Sequence, residues 1–417
     1  VQLTNEDIVE TAEDLLSKRF GGAQRLSEVQ ELSGSGSAVV LRARVASSPF
    51  LQQRSVILKY VPVSGEALDD AALVREVVAY QFTNSLSEEV RPGPVLLAHD
   101  IDRRIIVITD SGDGDTFEDL LNQRDPEIRV QILRNLGTAL GRMHSGTAGR
   151  EQDFEILLTR MLRQHPGSAE IQHLRDRSLL QSIQLGEELL RQGGVEVPEV
   201  VSEMARDAAG RLMSARHRAF TPFDLSPDNI IVADKTHFLD YEWAGFRDVS
   251  FDLACVIAGF PQFVFSRPVS DDEADVFVES WTQEVSALWP NVNNESHLHA
   301  RVLAALIGWA LSSVSLMHFG SMSNAVATFH REGLISEEEW QAIGRPLQEE
   351  PDLEVTGDFL RPADEGPFTE DELLVRRDLY ETFEALARYA ARGTEPYCAV
   401  VAAFGAEIAE RVTEPRI

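Results

Sequence analysis

Thr221-Pro222-Phe223-Asp224-Leu225-Ser226-Pro227-Asp228-Asn229-Ile230-Ile231-Val232 is followed by four turn-type residues, Ala233 to Thr236, and then by His237-Phe238-Leu239-Asp240. An apolar run, a short polar break and a second run read as an antiparallel hairpin. A four-residue loop would pair Val232 with His237, and the same register sets Asn229 opposite Asp240. An amide oxygen and a carboxylate then stand side by side at the open end of the hairpin. Hard oxygen ligands in that arrangement suit Mg2+ shared with substrate phosphates. Asp224, in the loop entering the same place, is a third acid that the metal does not need. It is placed to accept a proton.

Working outward, the residues before this unit alternate helix and strand. Thr4 caps a helix to about Phe20, with Asp7 as reciprocal partner and Gly21-Gly22 as the stop. Strands are expected over 38–45 and 55–61, a helix from Ala71 to Phe82, and strands over 95–99 and 105–109. Ser111-Gly112-Asp113-Gly114-Asp115 is a turn-rich break, expected to divide an N-terminal lobe (1–110) from a C-terminal lobe (111–417). Asp125-Pro126 opens a helix whose apolar face runs through Ile128, Ile132, Leu133, Leu136, Leu140 and Met143. Helices are expected over 151–193 and 198–217, a non-helical unit over 219–246, and helices from there on. Residues 337–372 form an acidic, Pro/Gly-interrupted stretch. Val302 to Met322 has no Asp, Glu, Lys or Arg, but its two Gly and five Ser or His residues suit a buried core helix better than a membrane span.

Composition narrows the classes. Hydrophobic residues at 43% and charged residues at 25% of 417 describe a soluble globular chain, not a disordered or fibrous one. A net charge of −30 argues against nucleic-acid and anionic-membrane partners. Cys255 and Cys398 show no metal spacing, which suits a reduced, cytoplasmic setting. Val1 to Phe20 reads as an acidic amphipathic helix and not as a leader. Only three of 38 basic residues are lysine (Lys18, Lys59 and Lys235), so a lysine inside the apolar strand Val56-Ile57-Leu58-Lys59 calls for a reason. No lysine follows a glycine, and H-E-x-x-H, C-x-x-C and G-x-S-x-G are absent. His297-Leu298-His299 reads as a solvated pair ahead of a helix.

With these residues in hand, the chain resembles the kinase-fold phosphotransferases. D-x-x-x-x-N with a later acid resembles their catalytic and metal loops. Leu32-Ser33-Gly34-Ser35-Gly36-Ser37-Ala38 resembles the loop over the nucleotide phosphates, Lys59 the strand lysine, and Glu76 its helix-borne partner. Within that fold the chain is similar to the aminoglycoside-phosphotransferase-like small-molecule kinases. About 80 residues separate His144 from Asp224. Asp240-Tyr241-Glu242-Trp243-Ala244-Gly245 resembles D-x-[DE]-x-A-G, and Asp252-Leu253-Ala254 follows too soon to leave room for an activation segment. The family usually has His-Gly where this chain has Pro222-Phe223.

The resemblance implies a bilobal α+β fold with a small β-rich N-lobe and a large, mostly helical C-lobe. It implies transfer of the γ-phosphate of ATP or GTP to a hydroxyl of a small molecule, such as an aminoglycoside or amino sugar. Asp224 would be the catalytic base. Ser35, Gly36, Ser37, Lys59, Glu76, Thr109 and Ser111 would serve the nucleotide, and Asn229, Asp240 and Glu242 the Mg2+. Asp252 would brace the catalytic loop. The alternative is a nucleotide-binding pseudokinase or sensor, for which Pro222-Phe223 is the direct support. Residues 251–417 carry −18 of the net −30, which predicts a polyhydroxylated, positively charged acceptor.

Overall fold

The computed structural model describes residues 2–32, 36–263, 267–331, 333, 335–343 and 358–413. Ten strands and fifteen α-helices are assigned among them. In the N-terminal part these are α1 (Asn5–Phe20), β1 (Leu26–Leu32), β2 (Val39–Val45), β3 (Ser55–Tyr60), α2 (Ala67–Asp70), α3 (Ala72–Asn84), β4 (Leu96–Asp100) and β5 (Ile105–Thr109). Then come β6 (Asp115–Thr116), α4 (Phe117–Leu121), α5 (Pro126–Thr147), α6 (Glu151–Gln164), α7 (Ala169–Gln192), α8 (Glu199–Leu212), β7 (Arg218–Thr221), β8 (Ile230–Val232), β9 (Thr236–Phe238) and β10 (Gly245–Asp248). The remainder is helical: α9 (Ser250–Ile257), α10 (Asp271–Val285), α11 (Glu295–Phe319), α12 (Met322–Arg331), α13 (Glu337–Ala342), α14 (Glu370–Ala391) and α15 (Pro396–Val412). The fold is mixed α+β, as the sequence predicts.

Five antiparallel strands form the N-terminal sheet in the order β1-β2-β3-β5-β4. Period-two alternation divides its residues between two cores. Val56, Leu58, Ile105 and Val107 join Ile8, Ala12 and Leu16 of α1 on one face. Ile106 and Ile108 join Leu73, Val77 and Val78 of α3 in the larger core. Ile57 and Lys59 therefore share the second face, away from α1. The Thr4–Asp7 capping box of α1 is present as expected. The first strand escapes a reading by hydrophobicity: β1 carries Glu28 and Glu31 and is largely exposed, as suits a charged edge strand.

The hairpin forms with a register one residue away from the expected one. Ile230 pairs with Phe238, Ile231 with His237 and Val232 with Thr236, so the loop has three residues, Ala233 to Lys235. The backbone N–H of Ala233 donates to the Lys235 carbonyl, which closes the loop early. Leu239, not Asp240, lies opposite Asn229 and donates its N–H to the Asn229 carbonyl at 2.8 Å. Asp240 then leaves the strand with φ +59°. β6 adds to the outer side of β8, while β7 and β10 pair so that Thr221 faces Gly245.

Two helical expectations also need correction. The run expected over 151–193 breaks at a 3-10 turn, Pro166–Ser168, between α6 and α7. The helix expected to reach 217 ends at Leu212. α11 is long and apolar enough to cross a membrane, yet 72% of its most apolar window is buried, as the core-helix reading requires. His299, expected to be solvated, stacks on Tyr389, while His297 is exposed. Of the acidic stretch 337–372, residues 344–357 lie outside the described residues.

α7 and α11 approach closely because Gly186 has no side chain: a Cβ there would lie 1.8 Å from the Leu311 carbonyl oxygen. Backbone cannot yield as a flexible side chain would. Gly186→Ala should therefore destabilise the protein by about 1–3 kcal/mol of overpacking, although alanine alone favours a helix by about 1 kcal/mol. Urea unfolding should show a lower midpoint at an unchanged slope; a raised midpoint would mean the helices separate freely.

Candidate active site

Lys59 lies on the inner face of β3, and its ammonium meets two carboxylates. Nζ donates to Glu76 Oε1 at 2.9 Å and Oε2 at 3.0 Å, and to Asp240 Oδ1 at 3.2 Å. The three residues come from β3, α3 and the residue after the hairpin, separated by up to 181 positions. Burial works against the lysine's charge, but the fields of Glu76 and Asp240 overcome it and hold Lys59 well above its ordinary range. Burial pushes Glu76 up to about 7, with Asp240 adding and Lys59 opposing. Glu242 is likewise raised to about 7 by burial and by Asp240, against Arg175 and Lys59. One ammonium thus faces several crowded carboxylates, and the surplus negative charge gathers around Asp240.

The loop before the hairpin is held by a buried chain of hydrogen bonds. Trp281 Nε1–H donates to His144 Nδ1 at 2.9 Å, which leaves the proton on Nε2 to bond Asp252 Oδ2 at 2.9 Å. Asp252 Oδ1 accepts from the Thr221 hydroxyl at 2.8 Å, and Thr221 Oγ1 accepts the Phe223 N–H at 2.9 Å. Thr221, His144 and Asp252 are each 0% exposed, so every link is shielded from competing water. Phe223 has φ +65°, a left-handed backbone that a glycine would adopt at lower cost. Its ring stacks on Trp309 with centroids 5.4 Å apart and 22° between planes. Asp224 follows, its carboxylate accepting the Ser226 N–H at 3.0 Å. Burial raises its pKa against the Ser226 hydrogen bonds, with Asp240 and Asp228 adding to the rise.

A second buried network ties the Glu76 helix to the helices that follow. Arg75, beside Glu76, donates to Asp176 Oδ2 at 2.9 Å, to Gln172 Oε1 at 3.0 Å and to the Ala244 carbonyl. Arg247 reaches the other Asp176 oxygen at 3.1 Å. Burial opposes the Asp176 charge, but Arg75 and Arg247 overcome it and keep its pKa low. Arg175 donates to the carbonyls of Leu68 and Glu242. α7 thereby bridges α2 and α3 to the segment after the hairpin. Nothing in the sequence singled out these residues: Arg and Asp on an amphipathic helix look like solvated surface.

Of the residues predicted to serve a nucleotide, Lys59 and Glu76 meet and the others lie apart. Ser35 falls outside the described residues. Gly36 and Ser37 are exposed between β1 and β2. Val40 pairs with both Leu32 and Lys59, so Gly36 and Ser37, just before β2, stand at the Lys59 end of the sheet. Thr109 is engaged locally, its hydroxyl accepting the Val95 N–H at 2.9 Å. Ser111 contacts His237 Nδ1 at 3.0 Å, linking the segment after β5 to the hairpin. Asn229 is half-buried at the hairpin mouth. Among the described residues no group of three His, Cys, Asp or Glu side chains forms a metal cage. Asp240 and Glu242 lie close enough for their charges to interact, a donor set compatible with Mg2+, which is commonly held by one or two carboxylates plus phosphates. The carboxylate surplus around Asp240 provides the matching charge.

Asp224 and Glu242 line a cleft of about 380 Å³ together with Phe223, Trp243, Phe260 and Trp309. A larger groove of about 750 Å³ runs between α7 and α8, but it contains none of these acids.

The profile of the phosphotransferase enzyme family called APH matches residues 53–292, more than half of the chain. The chain belongs to this family of phosphotransferases. No curated protein matches it. Similar solved structures include an aminoglycoside phosphotransferase, APH(2'')-Ib, bound to ADP, at 12% identity, covering 82% of this chain and 97% of that one, with a TM-score of 0.42. A putative aminoglycoside phosphotransferase from Ralstonia eutropha is 13% identical, with 80% and 98% covered and a TM-score of 0.44. A choline kinase from Cryptosporidium parvum is 11% identical, with 82% and 100% covered and a TM-score of 0.44.

The cleft wall at 259–262 is held from behind by Asp378 of α14, which accepts the Gln262 N–H at 2.9 Å. Asp378 is 5% exposed, and burial lifts its pKa to about 7 against that hydrogen bond. A carboxyl with a raised folded-state pKa stabilises fully only below its unfolded value, near 3.8, and loses that stabilisation as pH climbs to about 7. Asp378→Asn keeps the acceptor oxygen and removes the titration. The variant should gain on the parent between those pH values, by on the order of 2–4 kcal/mol at pH 8. Urea midpoints measured across this range test it; parallel curves would mean Asp378 is better solvated than its burial implies.

Proposed function

We propose that the protein transfers the γ-phosphoryl group of ATP or GTP to a hydroxyl of a small molecule. The observation that carries this reading is the junction of Lys59, Glu76 and Asp240, three distant residues brought within hydrogen-bond distance beside the cleft that holds Asp224 and Glu242. Family membership makes phosphotransfer the class of reaction. Residues 1–110 are assigned to nucleotide binding, and 111–417 to the catalytic loop and acceptor.

Catalysis would be positional and electrostatic. Lys59, oriented by Glu76, holds the α/β-phosphates. Asn229 and Asp240, with Glu242 beside them, would hold Mg2+, which when bound neutralises charge on the phosphates. Asp224 aligns the acceptor hydroxyl and takes its proton. The acceptor oxygen bonds to the γ-phosphorus, the bond between that phosphorus and the β–γ bridging oxygen breaks, and the nucleoside diphosphate leaves. A carboxylate shielded from water and raised in pKa is a stronger base than an exposed one. Thr221, Asp252 and His144 fix the loop, filling the place of the family's usual histidine.

Turnover is favoured over the pseudokinase alternative because Asp224, Asn229, Asp240 and Lys59 are all present on a braced loop and strand. The acceptor, expected to be an aminoglycoside, amino sugar or similar cation, is assigned here only as a hydroxylated small molecule. Among the described residues the carboxylates lining the cleft are Asp69, Asp224 and Glu242, none of them from 251–417, so a positive charge on the acceptor draws its support from these three acids and not from that region.

Asp224→Ala should lower turnover by about 10²- to 10⁴-fold at nearly normal nucleotide affinity. Retention of more than about a tenth of the activity would remove Asp224 as base. In the parent enzyme, kcat/KM should rise with pH through a value above that of an ordinary aspartate, since the base must be deprotonated and its pKa is raised. Lys59→Ala should weaken binding of Mg·ATP, and Asp240→Ala should abolish its Mg2+ dependence. Calorimetry giving unchanged Mg·ATP affinity in both variants would sink the kinase reading.

A further inference from the structure

The cleft beside Asp224 is built of rings. Phe223, Trp243, Phe260 and Trp309 line it, with Leu179 and Leu316 between them. Among the described residues its polar lining consists of carboxylates, serines and one glutamine, with no Arg, Lys or His. At about 380 Å³ it lies at the small end of ligand pockets, suited to one or two rings.

A second, independent observation singles out the same wall. Six non-glycine residues among those described have positive φ. Three of them line this cleft: Phe223 at +65°, Phe260 at +63° and Gln262 at +71°. A left-handed backbone costs a bulky residue free energy that glycine would not incur. The surroundings hold each one in place. Phe223 is clamped by the stacked Trp309 and by Arg247, whose guanidinium lies 5.2 Å from the ring centroid. Phe260 packs edge-on against Phe117 at 5.6 Å, and the Gln262 N–H is held by Asp378. Aromatic side chains kept at two strained positions in the lining of one cleft point to a surface shaped for a ligand.

Resting on the reading of Asp224 as the residue that faces the acceptor hydroxyl, we infer that the acceptor is an alcohol bearing an apolar ring. The ring seats against Trp243 and the stacked pair Phe223 and Trp309, with Phe260 backing the wall, and the hydroxyl lies at Asp224. A small polyhydroxylated or purely polar acceptor would leave the aromatic wall unused.

Two matched pairs of alcohols separate the ring from the amine: phenylethanolamine against ethanolamine, and phenyl ethylene glycol against ethylene glycol, with kanamycin as a ringed but polar comparison. Acceptor-dependent ADP formation gives kcat/KM, and quenching of tryptophan fluorescence gives binding without turnover, since Trp243 and Trp309 line the cleft. The phenyl member of each pair should bind and react about 10- to 100-fold better than its partner. Trp309→Ala should reduce that preference toward unity, and Trp309→Phe, which keeps a ring on Phe223, should restore most of it. Equal or greater kcat/KM for ethanolamine, ethylene glycol or kanamycin overturns the inference while leaving the kinase reading intact. Neither binding nor turnover of the phenyl alcohols also overturns it. A Mg·ATP titration of the same preparation then shows whether the kinase reading falls as well.

Discussion

An ammonium taken out of water must be given back its lost solvation, and much of this fold arranges that for Lys59. Its face of β3 looks away from α1, so the side chain enters the larger core and not solvent. Glu76 supplies two oxygens and Asp240 a third. Removing either carboxylate would leave a buried charge poorly compensated, which is among the costliest single changes a protein interior can suffer. The geometry of β3, α3 and the residue after the hairpin is thus interdependent. Burial and their mutual repulsion raise Glu76 and Glu242 against the pull of Lys59, so the site holds more carboxylates than its one ammonium can satisfy, an excess that a divalent cation would neutralise.

Two further devices keep the parts in place. Arg75 sits next to Glu76 and is anchored through Asp176 to Arg247, so α3 is bolted to α7 and to β10 and has little freedom to swing away. The guanidiniums are almost fully covered, at 4% and 2% exposure for Arg75 and Arg247. The chain from Trp281 through His144, Asp252 and Thr221 to the Phe223 N–H then fixes the loop that presents Asp224. Phe223 shows how that loop tolerates a bulky residue at a left-handed position: a backbone penalty of about 1 kcal/mol is offset by ring stacking on Trp309, worth a comparable amount.

Lys59 was conspicuous in the sequence because lysine is rare in this chain and stands in an apolar strand, and Asp224, Asn229 and Asp240 because their spacing accompanies a hairpin. The α1 capping box, the β2–β3 pairing and the helix opened by Asp125-Pro126 follow from local chemistry, which acts over a few residues and leaves its mark there. β1 was missed because an exposed edge strand need not alternate. The hairpin register was missed by one because loop closure depends on whether three or four residues turn the chain, and either loop suits Ala233-Asp234-Lys235-Thr236.

The sequence by itself determined the mixed α+β class, the kinase-like order of motifs and the acids and lysine on which any chemistry rests, since each is written in a short run of neighbouring residues. Only the tertiary structure decided which of them meet. It put Asp240 on Lys59 across 181 positions, set Asp176 between two arginines and lined the Asp224 cleft with aromatic rings. Among the described residues it drew the cleft's carboxylates from Asp69, Asp224 and Glu242, not from the acid-rich last two fifths of the chain. Contacts of that kind are fixed by how α3, α7 and the hairpin pack around a common core, and packing at long range has no local pattern to read.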